Sequence, residues 1–566
     1  MSNDPRPAMV ERLAGSKPFD LVVIGGGATG LGVAVDAAAR GLSVALFEAD
    51  DFAKGTSSRA TKLLHGGVRY LAQGNIALVR EALHERGTVL RNAPHLARPL
   101  AFVMPLYGAR GAWIDRWFYG AGLKAYDWLA AREGLADTEH LDRARTVAAL
   151  PGVRRDRLVG GIRYWDGQFD DARLALALAR TAEDLGTVVL NRCRVTGLLR
   201  QATGNRRVAG VVVDELERGR RLEVGARCVV NATGVWVDAV RRLDDPTSRA
   251  LVSPSQGIHL VVDSDFLPGD QALLIPRTGD GRVLFAVPWL GKVVLGTTDT
   301  PRDDLALEPR ALDEEIAFVL DESARYLDRA PRLMDVRSIW GGLRPLVRHG
   351  DEVVAVTKAL SREHTVLVSP SGLVTVTGGK WTTYRAMAED VLEICMTRAG
   401  LPVRPAGRTQ HLPLHGAGQR AAGATDPDPL SQGNPTVDRP YGTDAAAVEA
   451  LPGAGRWLAP GLSEAMVRFA VRHEFARQVE DVLARRNRLL FLDARAAADA
   501  APAVAAVMAD ELGPAFAAAA STRAFIALAH QYLPPAAAAT ATTGGPPAMS
   551  AALETGAPAT DGIVST

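Results

Sequence analysis

The chain has 566 residues, of which 47% are hydrophobic and 23% are charged, and its formal net charge is +1. This length exceeds what one core supports and predicts roughly two to four domains, while the near-zero net charge disfavours a general nucleic-acid-binding protein. The three cysteines (Cys193, Cys228 and Cys395) lack metal-site spacing, and no apolar run reaches the ~18 residues of a membrane span. Residues 1–17 also lack the apolar segment of a signal peptide, so we expect a cytosolic protein with buried, reduced thiols.

A glycine-rich turn begins the first clear pattern of the chain. The apolar run Leu21–Ile24 predicts a buried parallel strand. Gly25, Gly27 and Gly30 follow it at G-x-G-x-x-G spacing, directly before a helical pattern over about 28–40. The first glycine permits the tight turn, the second lets the backbone approach a pyrophosphate, and the third lets the helix pack closely on the strand.

A second strand that ends in a carboxylate completes this motif. Residues 43–47 form the strand, and Glu48 comes directly after it. At that strand end a carboxylate can bind both hydroxyls of a cofactor ribose. The glycine motif alone also occurs by chance, but the order of strand, helix, strand and terminal Glu predicts a dinucleotide site.

Helical and strand patterns alternate through the middle of the chain and then give way to short strands. Asp170 has the position and chemistry of a helix N-cap. Between about 245 and 345, short alternating patterns indicate a mainly antiparallel sheet. The predicted helices are 75–92, 170–185 and 384–398, and the predicted strands are 101–107, 158–165, 188–191, 208–213, 221–224, 228–231, 258–262, 283–287, 292–297 and 373–376.

The last part of the chain changes composition twice. Residues 401–443 are rich in Pro, Gly and Asp and are expected to form a linker, and 444–531 have a helical pattern. From 534 onward the sequence is mostly Ala, Thr, Gly and Pro, which predicts a disordered tail. Arginines between 468 and 488 are expected to lie on a solvated helix face with i,i+4 pairs, namely Arg472, Arg477, Arg485, Arg486 and Arg488.

Three further blocks bear on the choice between NAD and FAD, which share the first turn. Residues 55–67 are rich in hydroxyls and glycine and can reach the pyrophosphate and flavin of an extended cofactor. The turns 231–234 and 377–380 also follow strands, where α/β sheets bind ligands, and the helix after the second can direct its N-terminus at the flavin. Glycine turns from distant parts of the chain suit a buried FAD better than an exchangeable NAD.

These blocks resemble the D-amino-acid-oxidase superfamily of flavoproteins and, within it, the FAD-dependent glycerol-3-phosphate dehydrogenases. The most specific block is T-S-S-R-A-T-K-L-L-H-G-G-V-R-Y at 56–70, and the similarity spans about 18–500. Ala60 and Trp381 stand where the family often has Ser and Leu, and none of the matching blocks lies in the linker or the tail. The other matching blocks are 23–30, 170–174, 231–234, 296–299, 341–345, 378–384 and 479–486.

The resemblance implies an α/β fold with an FAD-binding Rossmann-like domain interleaved with an antiparallel-sheet substrate domain, followed by an α-helical C-terminal domain. We expect the following division: disordered N-terminus 1–17; FAD-binding domain 18–100, 160–244 and 346–400; substrate domain 101–159 and 245–345; linker 401–443; helical domain 444–533; disordered tail 534–566.

The resemblance also implies an activity, the oxidation of sn-glycerol 3-phosphate to dihydroxyacetone phosphate by hydride transfer from C2 to FAD. Electrons are then expected to pass to a quinone of the respiratory chain. Three alternatives stay open: a glycerol-3-phosphate oxidase that uses oxygen, an amine or amino-acid oxidase, and a non-catalytic dinucleotide-binding interaction protein. Several basic residues and no evident acidic partner for an amine argue against the second.

Site residues follow from the same resemblance. A phosphate dianion needs cationic partners, and we expect Arg69, Tyr70, Arg344, Arg362 and Lys380 to bind the substrate. His259 is the expected general base or hydroxyl orienter because an imidazole titrates near working pH; Arg344 and His65 are further catalytic candidates, with His65 expected to line the isoalloxazine. The expected FAD contacts are Gly25, Gly27, Ala28, Thr29, Gly30, Glu48, Thr56, Ser57, Ser58, Thr61, Lys62, Leu64, His65, Gly66, Val195, Ala232, Thr233, Gly234, Gly379, Lys380, Thr382 and Thr383.

Several of these residues also have a purely structural interpretation. His259 lies in a strand, Arg344 can pair with a carboxylate, and Lys380 lies inside a glycine turn. Asp170, Asp171 and Arg173 fit a helix cap and an ion pair that holds domains together at least as well as a catalytic role, and Asp303-Asp304 is interpreted as a solvated turn.

Segment 110–132 interleaves Trp and Tyr with Arg and Lys. We favour packing in the core or at a homodimer contact; the alternative is a helix in the membrane interface, which would place a quinone-reducing enzyme peripherally on the inner face of the cytoplasmic membrane.

Overall fold

The computed structural model describes residues 6–13, 17–67, 75–108, 126, 129, 135–202, 206–348, 364–399, 401–418 and 439–535. Its strands are β1 Phe19–Ile24, β2 Val44–Phe47, β3 Leu63–Leu64, β4 Ala97–Tyr107, β5 Glu139–Asp142, β6 Leu158–Phe169, β7 Val188–Leu190, β8 Cys193–Arg200, β9 Val208–Glu215, β10 Arg220–Asn231, β11 Val252–Asp263, β12 Ala272–Ile275, β13 Leu284–Trp289, β14 Lys292–Gly296, β15 Thr300–Pro301, β16 Ser338–Val347, β17 His364–Val368, β18 Val374–Gly378, β19 Trp457–Ala459 and β20 Leu462–Ser463.

The helices lie between and after these strands. The α-helices are Arg6–Leu13, Ala28–Ala39, Ile76–Asn92, Arg143–Ala149, Asp171–Asp184, Val237–Asp244, Asp313–Ala324, Tyr384–Ala399, Ala445–Glu449, Glu464–His473, Leu489–Leu492, Ala494–Leu512 and Ala518–Gln531, and a π-helix spans Asp481–Arg486. Short 3₁₀ turns include Thr56–Ser58, Gly234–Trp236 and Trp381–Thr383.

The first sheet contains a parallel core in the order β18-β10-β1-β2-β7, with β17 antiparallel at one edge and β8 and β9 extending from β10. Strand β1 is central and its apolar side chains are buried, as a strand covered on both faces requires. The helices Ala28–Ala39, Asp171–Asp184 and Tyr384–Ala399 contribute to one hydrophobic cluster with it. The carboxyl ends of β1, β10 and β18 therefore meet at one edge of the sheet.

The second sheet has ten strands in the order β15-β11-β14-β13-β12-β4-β6-β3, with β16 paired to β11 and β5 to β6. All of these pairings are antiparallel except that of β4 with β12. The predicted antiparallel sheet is confirmed. Within the β11–β16 pair, His259 lies opposite Trp340 and Ser255 opposite Arg344.

The helical C-terminal region has its own core, which also includes Trp289 and Trp340 from the second sheet. The expected solvated arginine face is wrong for part of this region. Arg485, Arg486 and Arg488 are buried, because each guanidinium reaches back to a carboxylate or carbonyl in the first 171 residues. Arg468 does form the expected i,i+4 pair, with Glu464.

Two smaller interpretations are confirmed. Asp170 caps its helix by accepting from the N–H groups of Ala172 and Arg173, and Arg173 forms a 2.7 Å ion pair with Glu474 of the C-terminal region. Asp303 and Asp304 are exposed in a turn. All three cysteines are free and buried.

Segment 110–132 lies outside the described residues except Tyr126 and Leu129, and the expected tail lies outside them beyond residue 535. Among the residues that the structure describes, no helix combines the length and apolarity needed to cross a membrane.

Candidate active site

The glycine turns at the ends of β1, β10 and β18 touch one another. The backbone N–H of Ala232 donates to the carbonyl of Ile24 at 2.9 Å, which joins the second turn to the first. The hydroxyl of Thr377 donates to the carbonyl of Gly234 at 3.1 Å, which joins the third turn to the second. The structure thus brings together three turns, the first and third of which are about 350 residues apart in the sequence.

The hydroxyl-rich block closes this arrangement. Its residue Ser57 accepts from the indole N–H of Trp381 through its carbonyl at 2.7 Å. The Ser57 hydroxyl also accepts from the backbone N–H of Ala28 at 2.9 Å, at the start of the first helix. The block therefore connects the third turn to the first turn, at the carboxyl edge of the parallel strands.

The first turn has the shape of a phosphate cradle. A Cβ atom on Gly30 would lie 2.0 Å from the carbonyl oxygen of Gly25, and one on Gly27 would lie 3.1 Å from the Ser57 hydroxyl. The N-cap residue, Gly27, has no side chain to cap the helix; the N–H of Ala28 donates to Ser57, and the helix dipole favours an anion at this end. The hydroxyl of Ser58 is buried and has no hydrogen-bond partner among the described residues. These features fit the pyrophosphate of FAD.

Glu48 follows β2 at the same sheet edge, and its carboxylate is held by the backbone. One oxygen accepts from the N–H of Gly26 at 2.7 Å and the other from that of Asp50 at 2.9 Å. Burial raises the pKa of Glu48, opposed by these two hydrogen bonds. Because a carboxylate has further acceptor positions, it can also take a ribose hydroxyl. Val195 lies two residues after Cys193, whose N–H donates to the Glu48 carbonyl at 2.8 Å.

The remaining predicted cofactor residues lie in or next to the glycine turns, except Leu64, which lies in the second sheet. Thr29 lies in the first turn of the helix, Leu64 is buried in β3, and Thr233 and Gly379 lie in the second and third turns, with Thr382 and Thr383 buried directly after the latter. The hydroxyl of Thr56 donates to the carbonyl of Leu343 at 2.6 Å, which ties the block to β16.

The turn after β3, His65-Gly66-Gly67, is hydrogen-bonded through Tyr126 to the buried carboxylate of Asp166. The N–H of Gly66 donates to the hydroxyl of Tyr126 at 2.9 Å, and Tyr126 donates to Asp166. Arg86 pairs with the same carboxylate at 2.9 Å. His65, in this turn, is half-buried.

His259 lies on β11 between a hydroxyl and an indole. Its Nε2 is 3.0 Å from the hydroxyl of Thr61, and its ring stacks on Trp340 with centroids 4.1 Å apart and planes at 22°. A Cβ on Gly296 would lie 2.4 Å from the imidazole, so a glycine there gives the ring its space. The other nitrogen, Nδ1, is buried and has no hydrogen-bond partner within the described part of the chain.

The expectation that His259 titrates near working pH is wrong. Burial lowers its pKa well below the ordinary value of 6.5, and the nearby charges of Lys62 and Arg344 lower it further. The imidazole is therefore neutral at physiological pH and offers an unprotonated nitrogen.

Arg344 shares the His259 face of the sheet. Its guanidinium donates to the carbonyl of Thr298 at 2.9 Å and to the hydroxyl of Thr297 at 3.3 Å, and it lies 3.5 Å from the Asp299 carboxylate. A Cβ on Gly257 would lie 2.2 Å from this guanidinium, so the side chain crosses the opposing strand at a glycine. The structural interpretation, pairing with a carboxylate, is thus part of its geometry, yet the side chain keeps 23% of its surface exposed.

The other predicted substrate residues are less defined. Lys380 is half-buried between the third glycine turn and the short helix Trp381–Thr383. Arg69, Tyr70 and Arg362 lie outside the described residues.

Sequence reasoning placed Lys62 at the cofactor, but its ammonium group is committed elsewhere. It donates to the carboxylate of Asp171 at 2.7 Å and to the carbonyl of Ser58 at 2.9 Å. Reasoning from sequence also missed three residues that contact members of the site: Trp340 stacks on His259, Glu315 binds Thr298, and Arg488 pairs with Asp171. The only local signal for Trp340 was its position before the glycine pair of β16, because its partners are distant in sequence.

Comparisons with known proteins agree with this arrangement. The FAD dependent oxidoreductase family matches residues 20–385, and the C-terminal domain of alpha-glycerophosphate oxidase matches residues 407–516. The mitochondrial glycerol-3-phosphate dehydrogenase of Bos taurus is 40% identical over 534 residues, which cover 90% of this chain and 72% of that protein. The chain belongs to the family of FAD-dependent glycerol-3-phosphate dehydrogenases.

Other members and a wider set of structures share the fold. The probable mitochondrial glycerol-3-phosphate dehydrogenase of Caenorhabditis elegans is 39% identical over 536 residues, covering 90% of this chain and 72% of that protein. The crystal structure of the glycerol-3-phosphate dehydrogenase from Bacillus halodurans complexed with FAD superposes with a TM-score of 0.74 at 29% identity, covering 94% of this chain and 99% of that one. The L-alpha-glycerophosphate oxidase from Mycoplasma pneumoniae shares the fold, with a TM-score of 0.52, 15% identity and coverage of 70% and 98%. The resemblance and the flavin cofactor predicted for this glycerol-3-phosphate dehydrogenase family member are confirmed.

Proposed function

We propose that this protein oxidises sn-glycerol 3-phosphate to dihydroxyacetone phosphate. The observation that carries the proposal is that the neutral imidazole of His259 and the guanidinium of Arg344 lie on the same face of the β11–β16 pair. Both stand beside the hydroxyl-rich block, which contacts the first and third glycine turns. Family membership supplies the substrate class, since the relatives above carry glycerol 3-phosphate in their names.

The reaction removes a hydride from C2 and a proton from the C2 hydroxyl. FAD, when bound, supplies the acceptor for that hydride. We assign the hydroxyl to His259, because its Nδ1 has no other partner within the described residues and its Nε2 is held by Thr61. A nitrogen that is neutral and fixed in direction can accept a hydrogen bond from the hydroxyl and take its proton.

The phosphate dianion requires positive charge at the other end of the substrate. We assign it to Arg344 and Lys380 together with Arg69, Tyr70 and Arg362, which match family positions in the sequence. A planar guanidinium can bind two phosphate oxygens at once. Thr297, Thr298 and Asp299 fix the direction of Arg344 before the substrate arrives.

For the cofactor we propose the glycine turns and the block 55–67 without the Lys62 side chain, with Glu48 at the ribose. His65 is placed at the isoalloxazine, as its position one residue before Gly66 suggests. The division into an FAD-binding domain, a substrate domain and a helical domain is proposed with the boundaries expected from the sequence.

The proposal is tested by product formation with an artificial electron acceptor. Purified protein with FAD should convert sn-glycerol 3-phosphate, but not glycerol, into dihydroxyacetone phosphate. His259→Gln should lower the turnover by about 10²-fold or more, the usual contribution of general acid–base catalysis. His411→Gln, at an exposed histidine, is the control and should leave turnover unchanged. Product formation that is unaffected by His259→Gln would refute the assigned role, and no product would refute the substrate.

For the electron acceptor we propose a quinone. For segment 110–132 the favoured interpretation stays packing in the core or at a homodimer contact, and the alternative is peripheral contact with a membrane, because interleaved Trp, Tyr, Arg and Lys also suit the membrane interface. Binding of the protein to anionic lipid vesicles, with faster reduction of ubiquinone, would support the membrane alternative. A stable homodimer that does not bind vesicles would support the dimer contact, and a reduced flavin that reacts rapidly with oxygen would favour the oxidase.

A further inference from the structure

Two consecutive residues, Thr61 and Lys62, contact the stacked rings of His259 and Trp340, one ring each. Thr61 lies 3.0 Å from Nε2 of His259, and the ammonium nitrogen of Lys62 lies 4.7 Å from the centroid of the Trp340 ring. The imidazole and the indole stack at 4.1 Å across paired strands. The His259 ring is thus held at one edge by a hydroxyl and on its indole partner by a cation.

The backbone of Lys62 is unusual for its residue type. Its φ angle is +67°, in the left-handed region, which is unfavourable for a non-glycine residue. The side chain that this conformation directs inward is completely buried. A lysine ammonium buried at that conformational cost needs compensation from its surroundings.

The compensation comes from a carboxylate shared by two cations. Asp171 accepts from Lys62 at 2.7 Å and lies 3.2 Å from the guanidinium of Arg488, which comes from the C-terminal region. The rings of Trp289 and Phe491 also face the ammonium group, at 5.1 and 5.4 Å. The carboxylate and the aromatic rings offset part of the cost of burying this positive charge over the Trp340 indole.

We propose that Lys62 is a positioning residue for His259, acting across the Trp340 indole to fix the plane of the imidazole and keep it unprotonated. The inference rests on the proposed function, because it matters for catalysis only if His259 contacts the substrate. It gives the C-terminal region a part in the site, since Arg488 shares the carboxylate that holds Lys62.

The charges around the two groups set the direction of the effect. Burial, partly opposed by Asp171 and Asp170 and reinforced by Arg488, lowers the pKa of Lys62 to about 7. The ammonium is therefore charged at pH values below neutrality, where a histidine would otherwise take up a proton. Arg344, on β16, is a second cation among the described residues that lowers the pKa of His259, and a guanidinium group stays charged in proteins.

The test is a pH titration of His259 that does not depend on activity. Protein labelled with ¹³C-histidine is followed by NMR, and the His259 signal is assigned by its loss in His259→Gln. Wild-type His259 should stay neutral well below pH 6.5. In Lys62→Gln, which keeps a hydrogen-bond donor but removes the charge, its apparent pKa should rise by about one unit or more, as expected for removal of a nearby like charge.

The matched control is Arg40→Gln. Arg40 is a buried cation paired with Asp36, with side-chain exposures of 2% and 1%, and it does not face His259. This variant should lose stability but leave the His259 titration unchanged. The second readout is the rate at which glycerol 3-phosphate reduces the bound flavin under anaerobic conditions. In Lys62→Gln this rate should be about tenfold lower at acid pH than on its alkaline plateau. Wild type and Arg40→Gln should show no such difference.

Two results would overturn the inference. One is an unchanged His259 titration in Lys62→Gln. The other is a wild-type His259 that titrates at its ordinary value, a result that needs only the assignment from His259→Gln and so decides the matter even if Lys62→Gln does not fold. If glycerol 3-phosphate reduces the flavin at no pH, the proposed function fails, and the NMR titration still decides the role of Lys62.

Discussion

Arg486 in the C-terminal region forms a two-pronged ion pair with Asp51 in the loop that begins at Glu48. Its Nη2 donates to one carboxylate oxygen at 2.9 Å, and its Nη1 donates to the other. Arg485 binds the same carboxylate. Burial alone would raise the pKa of Asp51, but the two guanidinium groups outweigh burial and hold that pKa well below its usual range. The C-terminal helices are thus attached to the loop beside the proposed ribose site.

Asp51→Ala should therefore destabilise the protein and weaken its hold on FAD. Removing one partner of a buried ion pair leaves charge without compensation and costs about 3–5 kcal/mol. Denaturant unfolding followed by flavin fluorescence measures the loss. Asp50→Ala is the control, since the nearest arginine nitrogens lie 4.0 Å from that partly exposed carboxylate. An Asp51→Ala protein as stable as wild type would contradict this account of the attachment.

The first glycine turn makes a steric prediction. Gly30→Ala places a Cβ atom 2.0 Å from the carbonyl oxygen of Gly25, where backbone must move. We expect protein that folds poorly or is purified without flavin colour. Gly455→Ala is the control, because nothing lies within 4 Å of its Cβ position. The absorbance spectrum after purification is the measurement, and a yellow, wild-type-like Gly30→Ala protein would refute the cradle geometry.

Glu315 is expected to position Arg344 from below. This buried carboxylate accepts from the hydroxyl of Thr298 at 2.7 Å, and the carbonyl of the same threonine holds the Arg344 guanidinium. It also accepts from Thr300 and Gln256. Glu315→Gln places an amide N–H against groups that themselves donate, so a charge-assisted hydrogen bond is lost and Arg344 is held less firmly. KM for glycerol 3-phosphate should therefore rise about tenfold, the usual cost of such a bond. Exposed Glu314→Gln should leave KM unchanged, and equal KM values for both variants would dismiss the role.

Local patterns sufficed for part of this architecture. The strand Leu21–Ile24, the glycine turn and Glu48 could be predicted because strand, turn and helix are adjacent in sequence and each residue type has a local reason. The antiparallel sheet could be predicted from its alternation. The meeting of the glycine turns was expected from their positions at strand ends, where parallel strands share an edge.

The support of the site could not be predicted. Thr61, Lys62, His259 and Trp340 meet only because β3, β11 and β16 belong to one sheet, and no local pattern encodes that contact. Arg485, Arg486 and Arg488 show a helical spacing that is typical of a solvated face. Their burial depends on carboxylates more than 300 residues away. The low pKa of His259 likewise depends on burial and on Lys62 and Arg344.

The ion pairs that His415 forms with two carboxylates make the stability of the protein depend on pH. It lies 2.6 Å from Asp184 and 3.0 Å from Asp444, and Arg180 pairs with Asp444 as well. Burial alone would lower the pKa of His415, but hydrogen bonds to the two carboxylates outweigh it and raise that pKa above 6.5. Burial would raise the pKa of Asp444, yet His415 and Arg180 lower it from 3.8 to about 2.

The sign follows from these two shifts. The contribution of charged His415 is complete below its ordinary pKa of 6.5 and is lost as pH rises through its raised value. The contribution of charged Asp444 to stability is complete above pH 3.8, its ordinary pKa, and is lost as pH falls through about 2. Wild type should thus exceed His415→Gln in thermal stability at about pH 6 and lose that advantage towards about pH 9. His411→Gln, at an exposed site, should show no such trend, and a constant gap for His415→Gln would contradict the linkage.

The most direct test of the central claim is an anaerobic addition of sn-glycerol 3-phosphate to the purified flavoprotein, followed by absorbance. We predict that the visible band of the oxidised flavin bleaches and that dihydroxyacetone phosphate appears in equal amount. Glycerol without its phosphate should leave the band unchanged. A yellow protein that sn-glycerol 3-phosphate does not bleach would contradict the proposed substrate while leaving the fold and the cofactor in place.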